Sequence, residues 1–292
     1  MKSITAHLLF LFVFINSLFA QDSLKVENAL LWEITGKDLK EPSYIFGTIH
    51  MIPEADYFFP EVWKEKFLAC KTLALEIDIN MSLMDQVALA QKIMLPHGKS
   101  LADYMDSTEY RDFQTYILDS LHIKKAKWNQ MNKIKPLFSM SLIYEDLIKD
   151  LKTYETELNE LAKKNGIPTV GLETADYQIG ILNNISVADQ IDMLTGDELS
   201  GNPVDELAKL IKVYKAQDIN QMLLMYKEDP AMLAYEDQLL TQRNKNWIPV
   251  ILKHARKGST FVAVGAMHLP GDDGVLRLLE REGYEVHAVT NY

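Results

Sequence analysis

The fold is decided by residues 260–268, which read TFVAVGAMH. The apolar run at the start of this stretch is typical of a buried strand, and Gly265 ends it. A glycine at a strand end lets the backbone turn sharply, so His268 should fall on a loop at the strand tip. Residues 43–50 repeat the arrangement and place His50 in the same position. Ligands bind at such tips in open α/β sheets, which makes both histidines candidate site residues.

Two acidic residues end comparable runs further along the chain. Glu76 closes one strand-like run and Glu173 closes another. If the four strands are parallel neighbours, two imidazoles and two carboxylates meet at one edge of the sheet. Neutral imidazole with carboxylate is the ligand set of catalytic metal sites. We therefore expect His50, His268 and Glu76 to bind a divalent metal and Glu173 to act as general base, with the two carboxylates able to exchange roles.

Each of these residues also has a structural interpretation. Either histidine could be a hydrogen-bonded structural residue, with His268 on a simple turn before Pro270. Glu76 could belong to a solvated strand end, and Glu173 could cap the segment that follows it. The repeated Gly-x-x-His context favours the functional interpretation for both histidines.

The dipeptide Arg243-Asn244 lies in a helical pattern and is a third candidate. A guanidinium here could hold a substrate carboxylate or a developing oxyanion, and the alternative is a surface salt bridge. The acids Glu155, Glu157 and Glu160 are interpreted as a solvated helix face.

The rest of the sequence predicts an α/β fold with a central mixed sheet, helices on both faces and large helical insertions. Residues 29–34 and 43–46 predict two short strands joined by a polar turn, which indicates a hairpin. Helical periodicity dominates residues 82–164 and 187–252, the two predicted insertions. We expect one domain over residues 21–292.

The amino terminus and the composition limit the location and the partners. Residues 1–20 combine Lys2, a short apolar run and Ala20, which predicts a cleavable signal peptide and a secreted or periplasmic protein, with an uncleaved anchor as the alternative. No later run reaches about 18 apolar residues, so we expect no retained transmembrane helix. The net charge of −11 should repel nucleic acid. Cys70 is the sole cysteine, which excludes an intramolecular disulfide.

Several motifs in this order resemble one known family, the TraB/GumN family. They are Leu31-Trp32-Glu33, residues 46–50 (FGTIH), residues 75–78 (LEID), residues 171–174 (GLET), Arg243-Asn244-x-x-Trp247 and residues 261–271 (FVAVGAMHLPG). The family is similar to the animal TIKI proteins, metalloproteases that use manganese or cobalt, and more remotely to erythromycin esterase and ChaN-like proteins. The resemblance implies a peptide or protein substrate, a manganese or cobalt ion with zinc as the alternative, and a functional role for Arg243.

The sequence therefore predicts an exported metal-dependent peptidase in which Arg243 and Asn244 orient the substrate. Two rival hypotheses use the same cleft. One is a protein that binds or sequesters peptides without turnover, and the other is a metal-independent, esterase-like hydrolase with His50 or His268 as general base. Substrate identity, the ion and the oligomeric state are not fixed by the sequence.

Overall fold

The computed structural model describes residues 26–195 and 202–290. The predicted signal peptide at residues 1–20 lies outside the described residues. The strands are β1 (Leu31–Thr35), β2 (Ser43–Thr48), β3 (Ile52–Pro53), β4 (Thr72–Ile77), β5 (Leu151–Lys152), β6 (Thr169–Glu173), β7 (Thr260–Gly265) and β8 (Glu285–Ala288). The helices are α1 (Glu61–Ala69), α2 (Leu83–Lys92), α3 (Ser107–Thr115), α4 (Lys125–Met131), α5 (Pro136–Leu147), α6 (Tyr154–Lys164), α7 (Ala175–Asn184), α8 (Val187–Thr195), α9 (Pro203–Lys215), α10 (Ile219–Glu228), α11 (Pro230–Leu233), α12 (Gln242–Ala255) and α13 (Val275–Arg281).

The central sheet has six strands in the order β6-β4-β7-β2-β1-β8. β6, β4, β7 and β2 are consecutive parallel neighbours, whereas β1 runs antiparallel to both β2 and β8. This arrangement confirms the predicted β1–β2 hairpin and the mixed sheet of the predicted α/β fold. Every residue of β2 and β7 is buried, and because successive side chains point to opposite faces, both faces of the sheet are covered.

Aromatic side chains fill the space between one face of the sheet and helices α1 and α6. Phe46 of β2 and Phe261 of β7 lie on the same face, with ring centroids 6.0 Å apart. Trp63 and Phe67 of α1 and Tyr154 of α6 pack on these two rings. Such ring pairs add to the stability that burial of their area provides. They fix α6, whose first turn reaches the end of β2.

A second, separate hydrophobic cluster lies in the helical part of the chain. It consists of Leu95, Leu101, Phe113, Ile117, Ile123, Trp128, Met131, Ile143 and Leu194. Among the helices of the described residues, none has both the length and the apolar character of a membrane-spanning segment. The predicted helical stretch 82–164 also contains β5, which pairs with β3. A strand of two residues is too short to leave a periodic pattern in the sequence.

Candidate active site

The carboxyl ends of the four parallel strands bring the predicted residues to one edge of the sheet. Glu76 lies near the end of β4, and Glu173 is the last residue of β6. His50 follows β2 by two residues, and His268 ends the short 3₁₀ turn Ala266–His268 directly after β7. Arg243 reaches the same edge from the first turn of α12, where it is 7% exposed.

Arg243 connects the two carboxylates. Its Nη2 donates to Glu76 Oε2 at 2.6 Å and to Glu173 Oε1 at 2.7 Å, and its Nε donates to Glu173 Oε1 at 2.9 Å. Its Nη1 donates to the carbonyl of Leu239 at 3.1 Å and lies 3.3 Å from His268 Nε2. The guanidinium also lies 4.7 Å from the centre of the Trp247 ring. Arg243 is thus the interior counter-ion of two carboxylates, and the surface salt bridge considered from the sequence is ruled out.

Both carboxylate oxygens of Glu173 accept hydrogen bonds from buried side chains. Its Oε1 accepts both Arg243 bonds, and its Oε2 accepts the indole N–H of Trp247 at 3.0 Å. Its side chain is 5% exposed. Glu173 is thus the carboxylate that holds the guanidinium of Arg243 and the indole of Trp247 in place.

Glu76 is held as a charged carboxylate in the interior. Burial alone would raise its pKa. The positive charge that His268 carries when it is protonated, then the charges of Arg243 and His50, and the Gly265 N–H at 2.8 Å from Oε1 together lower the pKa to about 2. Gln178 of α7 donates to Oε2 at 2.9 Å. Among the described residues, only the Gly265 N–H donates a hydrogen bond to Oε1. This oxygen therefore keeps a free lone pair at the carboxyl edge of the sheet.

His268 is a neutral imidazole with a defined tautomer. Asn244 Nδ2 donates to the Asp273 carbonyl at 2.9 Å, so Asn244 Oδ1 faces His268 Nδ1 at 2.6 Å. An amide oxygen can only accept, and therefore Nδ1 carries the proton and Nε2 carries the lone pair. Burial, and then the nearby charge of Arg243, lower the pKa of His268 to about 3.

His50 is supported differently. Its side chain is 69% exposed, and Nδ1 lies 3.7 Å from Glu155 Oε1. That carboxylate raises the pKa of His50 above its ordinary value. Glu155 accepts the hydroxyl of Thr48 at 2.9 Å and is 19% exposed. The interpretation of Glu155 as part of a solvated helix face is therefore wrong, because its side chain turns inward to the end of β2.

The three predicted ligands face a common point beside Gly265. A Cβ built on Gly265 would lie 3.4 Å from Glu76 Oε1, 3.4 Å from His268 Cδ2 and 3.9 Å from His50 Nε2. The absence of a side chain at residue 265 leaves this space open between the two imidazoles and the carboxylate. The glycine of the second Gly-x-x-His motif is thus needed for space, whereas its backbone angles, φ −51° and ψ 134°, are ones that any residue adopts.

The sequence of this chain matches one protein family over almost all of the described residues. The profile of the TraB/PrgY/gumN family covers residues 30–288. The chain belongs to the TraB/PrgY/gumN family. No solved structure gives a significant match.

The chain is also similar to curated proteins named metalloproteases. Metalloprotease TIKI2 of Danio rerio is 23% identical over 326 aligned residues, which cover 90% of this chain and 61% of the relative. Metalloprotease TIKI1 of Homo sapiens is 22% identical over 315 residues, which cover 89% of this chain and 61% of the relative. This TraB/PrgY/gumN chain therefore spans about three fifths of the length of these relatives.

The donor atoms at the strand ends fit a divalent metal in their chemistry. His268 Nε2 and Glu76 Oε1 are 3.9 Å apart, and two ligands that bind one ion at ~2.1 Å can be up to roughly 4.2 Å apart. Glu76, Glu173 and Glu155 against the single guanidinium of Arg243 give two negative charges in excess when both imidazoles are neutral. Across residues 26–195 and 202–290, however, no three His, Cys, Asp or Glu side chains lie at the distances of a formed metal site.

The sequence identified the chemical groups but missed the residues that hold them. Glu155 was assigned to solvent because alternation along the helix carries no information about the strand end beneath it. Gln178 and the role of Trp247 were not foreseen. Trp247 had one usable signal, since it stands four residues after Arg243 and therefore on the same helix face.

Proposed function

We propose that this chain is a divalent-metal-dependent hydrolase, and specifically a peptidase that acts on peptide or protein substrates. One observation carries the proposal: His50 Nε2, His268 and Glu76 Oε1 surround the open space beside Gly265. The similarity to proteins named metalloproteases supports the reaction class. The features of residues 1–20 support a secreted or periplasmic location.

His50, Glu76 and His268 would hold the ion in this proposal. A bound divalent cation would supply Lewis acidity, which lowers the pKa of a coordinated water and polarises an amide carbonyl. Manganese or cobalt is favoured by the family resemblance, with zinc as the alternative. The remaining work falls to side chains of the chain itself.

Asn244 keeps His268 in the tautomer that presents its Nε2 lone pair to the site. The Asp273 carbonyl in turn fixes the amide of Asn244, so the amide cannot rotate freely. We therefore propose that Asn244 acts on His268 and not on the substrate. Its removal should loosen the ring without changing the surface that a peptide would contact.

Arg243 keeps Glu76 ionised, and Glu173 and Trp247 hold Arg243 in place. The guanidinium is buried and engaged by both carboxylates, which leaves it poorly placed to bind a substrate carboxylate. In this proposal Glu173 acts through Arg243, because both of its carboxylate oxygens already accept hydrogen bonds from Arg243 and Trp247. This role replaces the general-base role expected from the sequence. Of the two carboxylates whose roles the sequence leaves interchangeable, we propose Glu76 as the ligand, because its Oε1 faces the space beside Gly265.

A second candidate is a metal-independent, esterase-like hydrolase. The observation that favours it is the 3.3 Å distance between Arg243 Nη1 and His268 Nε2, because the guanidinium competes with a metal for the same lone pair. In that case the exposed His50, paired with Glu155, would act as the general base.

A chelator experiment separates these candidates. Protein lacking residues 1–20 would be incubated with a peptide library and, in parallel, with simple esters, before and after EDTA and after return of Mn²⁺ or Co²⁺. Peptide cleavage that EDTA removes and the ion restores supports the proposal. Hydrolysis that continues in EDTA supports the second candidate, and peptide binding without any product identifies a sequestering protein. His268→Ala should abolish metal-dependent cleavage, whereas the exposed control His287→Ala should retain it.

A further inference from the structure

Glu155 has a fixed carboxylate next to a loosely held imidazole. It lies in the first turn of α6, where a negative charge is favoured by the helix dipole, and Thr153 caps that helix. Its Oε1 accepts the hydroxyl of Thr48, which is 1% exposed and belongs to the central sheet. The carboxylate is therefore anchored from two elements, while the His50 ring is 69% exposed.

The two Gly-x-x-His motifs are supported in the same way. In both, a side-chain oxygen from a helix faces Nδ1 of the histidine: Asn244 of α12 at 2.6 Å from His268, and Glu155 of α6 at 3.7 Å from His50. In both, the opposite side of the ring faces the space beside Gly265. An acceptor at Nδ1 favours the Nδ1–H tautomer and leaves the Nε2 lone pair free.

The 3.7 Å contact is longer than a hydrogen bond, so Glu155 favours one orientation of the His50 ring without holding the ring by a hydrogen bond. Because Thr48 holds Glu155 in place, we expect the exposed ring, and not the carboxylate, to turn when the hydrogen bond forms. The carboxylate is held by a hydrogen bond from the central sheet, whereas the His50 ring is exposed. This arrangement suits Glu155 to orient the His50 ring.

We propose that Glu155 is a positioning residue that orients the His50 imidazole with Nε2 towards Glu76 and His268. The inference rests on the proposed function insofar as His50 is a functional group of the site. It adds a residue to the site that the motif pattern does not contain. Thr48 contributes to the positioning of His50 because its hydroxyl donates a hydrogen bond to the Glu155 carboxylate.

The direct test is the tautomer of His50 in metal-free protein labelled with ¹⁵N-histidine. Spectra would be taken at alkaline pH, where the ring is neutral, and His50→Asn identifies its signals. The intact chain should show His50 mainly as Nδ1–H. Glu155→Ala should shift it towards a mixture with Nε2–H, and Glu155→Gln, whose amide oxygen can still accept from Nδ1–H, should stay close to the intact chain.

Two controls separate positioning from a general effect on the helix. Glu160→Ala removes an exposed acid from the same helix and should leave the His50 signals unchanged. Thr48→Val keeps the shape of the side chain but removes the hydroxyl, and it should move the tautomer in the same direction as Glu155→Ala. Thermal melting of each variant checks that the fold is retained.

Titration of the metal-free chain with Co²⁺ alone provides the second measurement. Glu155→Ala should weaken cobalt binding by about 10-fold to 100-fold, the usual effect of losing a partner behind a ligating histidine. In the cleavage assay, kcat should fall while KM stays the same, because Glu155 acts through His50. Glu155→Gln should restore much of the loss.

A Glu155→Ala chain whose His50 tautomer matches that of Glu160→Ala would overturn the inference. This outcome differs from failure of the proposed function. If the intact chain neither binds cobalt nor hydrolyses a substrate, the proposed function fails, while the tautomer measurement still decides the role of Glu155.

Discussion

Arg243→Met is expected to destabilise the fold strongly, because it leaves two buried carboxylates without their shared cation. Glu76 and Glu173 both lie within 2.7 Å of Arg243 Nη2, and their side chains are 7% and 5% exposed. Removing one partner from a buried ion pair costs about 3–5 kcal/mol. Repulsion between two carboxylates ~5 Å apart adds roughly 3 kcal/mol at an effective dielectric constant of about 20. The loss should reach a large part of the total stability of about 5–15 kcal/mol that is typical of native proteins.

The pH dependence of this loss identifies its electrostatic origin. The pKa of Glu76, about 2 in the native chain, should rise in the variant because burial remains and the cation is gone. If the pKa of Glu76 in the folded variant lies above its value in the unfolded chain, protonation stabilises the fold. The loss in free energy of unfolding relative to the intact chain should therefore shrink as the pH falls from about 7 to about 5. Urea unfolding followed by tryptophan fluorescence at several pH values measures this deficit.

Two further variants test whether the loss of stability comes from the buried charges. Arg111→Met removes an exposed arginine with a 3.7 Å contact to Asp112 and should cost less than about 0.5 kcal/mol. Adding Glu173→Gln to Arg243→Met should recover part of the loss, because it removes one of the two unpaired charges. A loss below about 1 kcal/mol for Arg243→Met, or a deficit that does not change with pH, would contradict the account.

Three further predictions concern the strand ends. Gly265→Ala should fold normally, since φ is −51° and the new methyl group meets its nearest atoms at 3.4 Å, so thermal melting should change little. That methyl group fills the space beside Glu76 and His268, and cobalt titration should therefore show binding weakened by at least roughly 10-fold. The chain should lose stability as the pH falls from about 6.5 towards 3. In this range residue 268 takes up a proton in the unfolded chain, whereas in the folded chain its pKa is lowered to about 3 and it stays neutral. Urea unfolding should therefore show a weaker pH dependence for His268→Gln. Trp247→Phe should cost about 1–3 kcal/mol, since Glu173 Oε2 loses the N–H donor at 3.0 Å and stays buried; a stability equal to that of the intact chain would contradict this.

The sequence predicted the sheet edge well because the relevant information is local. A buried strand, a glycine and a histidine three residues later occur twice, and each acid directly follows its own apolar run. Parallel strands place their carboxyl ends together, so four local patterns become one cluster once the strands are neighbours. The structure places all six predicted site residues at this edge.

The partners of these residues could not be predicted in the same way. Arg243 and Glu76 are 167 residues apart in sequence, and Glu155 and Thr48 are 107 apart, so their pairing depends on how helices pack on the sheet. A helical pattern reports which residues share a face and not which strand end that face meets. For this reason the pattern predicted a substrate-binding role for Arg243 and a solvent-exposed position for Glu155.

We propose that His50, Glu76 and His268 form a divalent-metal site, and elemental analysis of the purified chain decides whether they do. Protein lacking residues 1–20 would be incubated with Mn²⁺ or Co²⁺, freed of loose ions and analysed beside the His50→Ala/His268→Ala double variant and the His287→Ala control. We expect one ion per chain for the intact protein and the control, and none for the double variant. No bound ion in the intact protein, or equal binding in the double variant, would contradict the proposal.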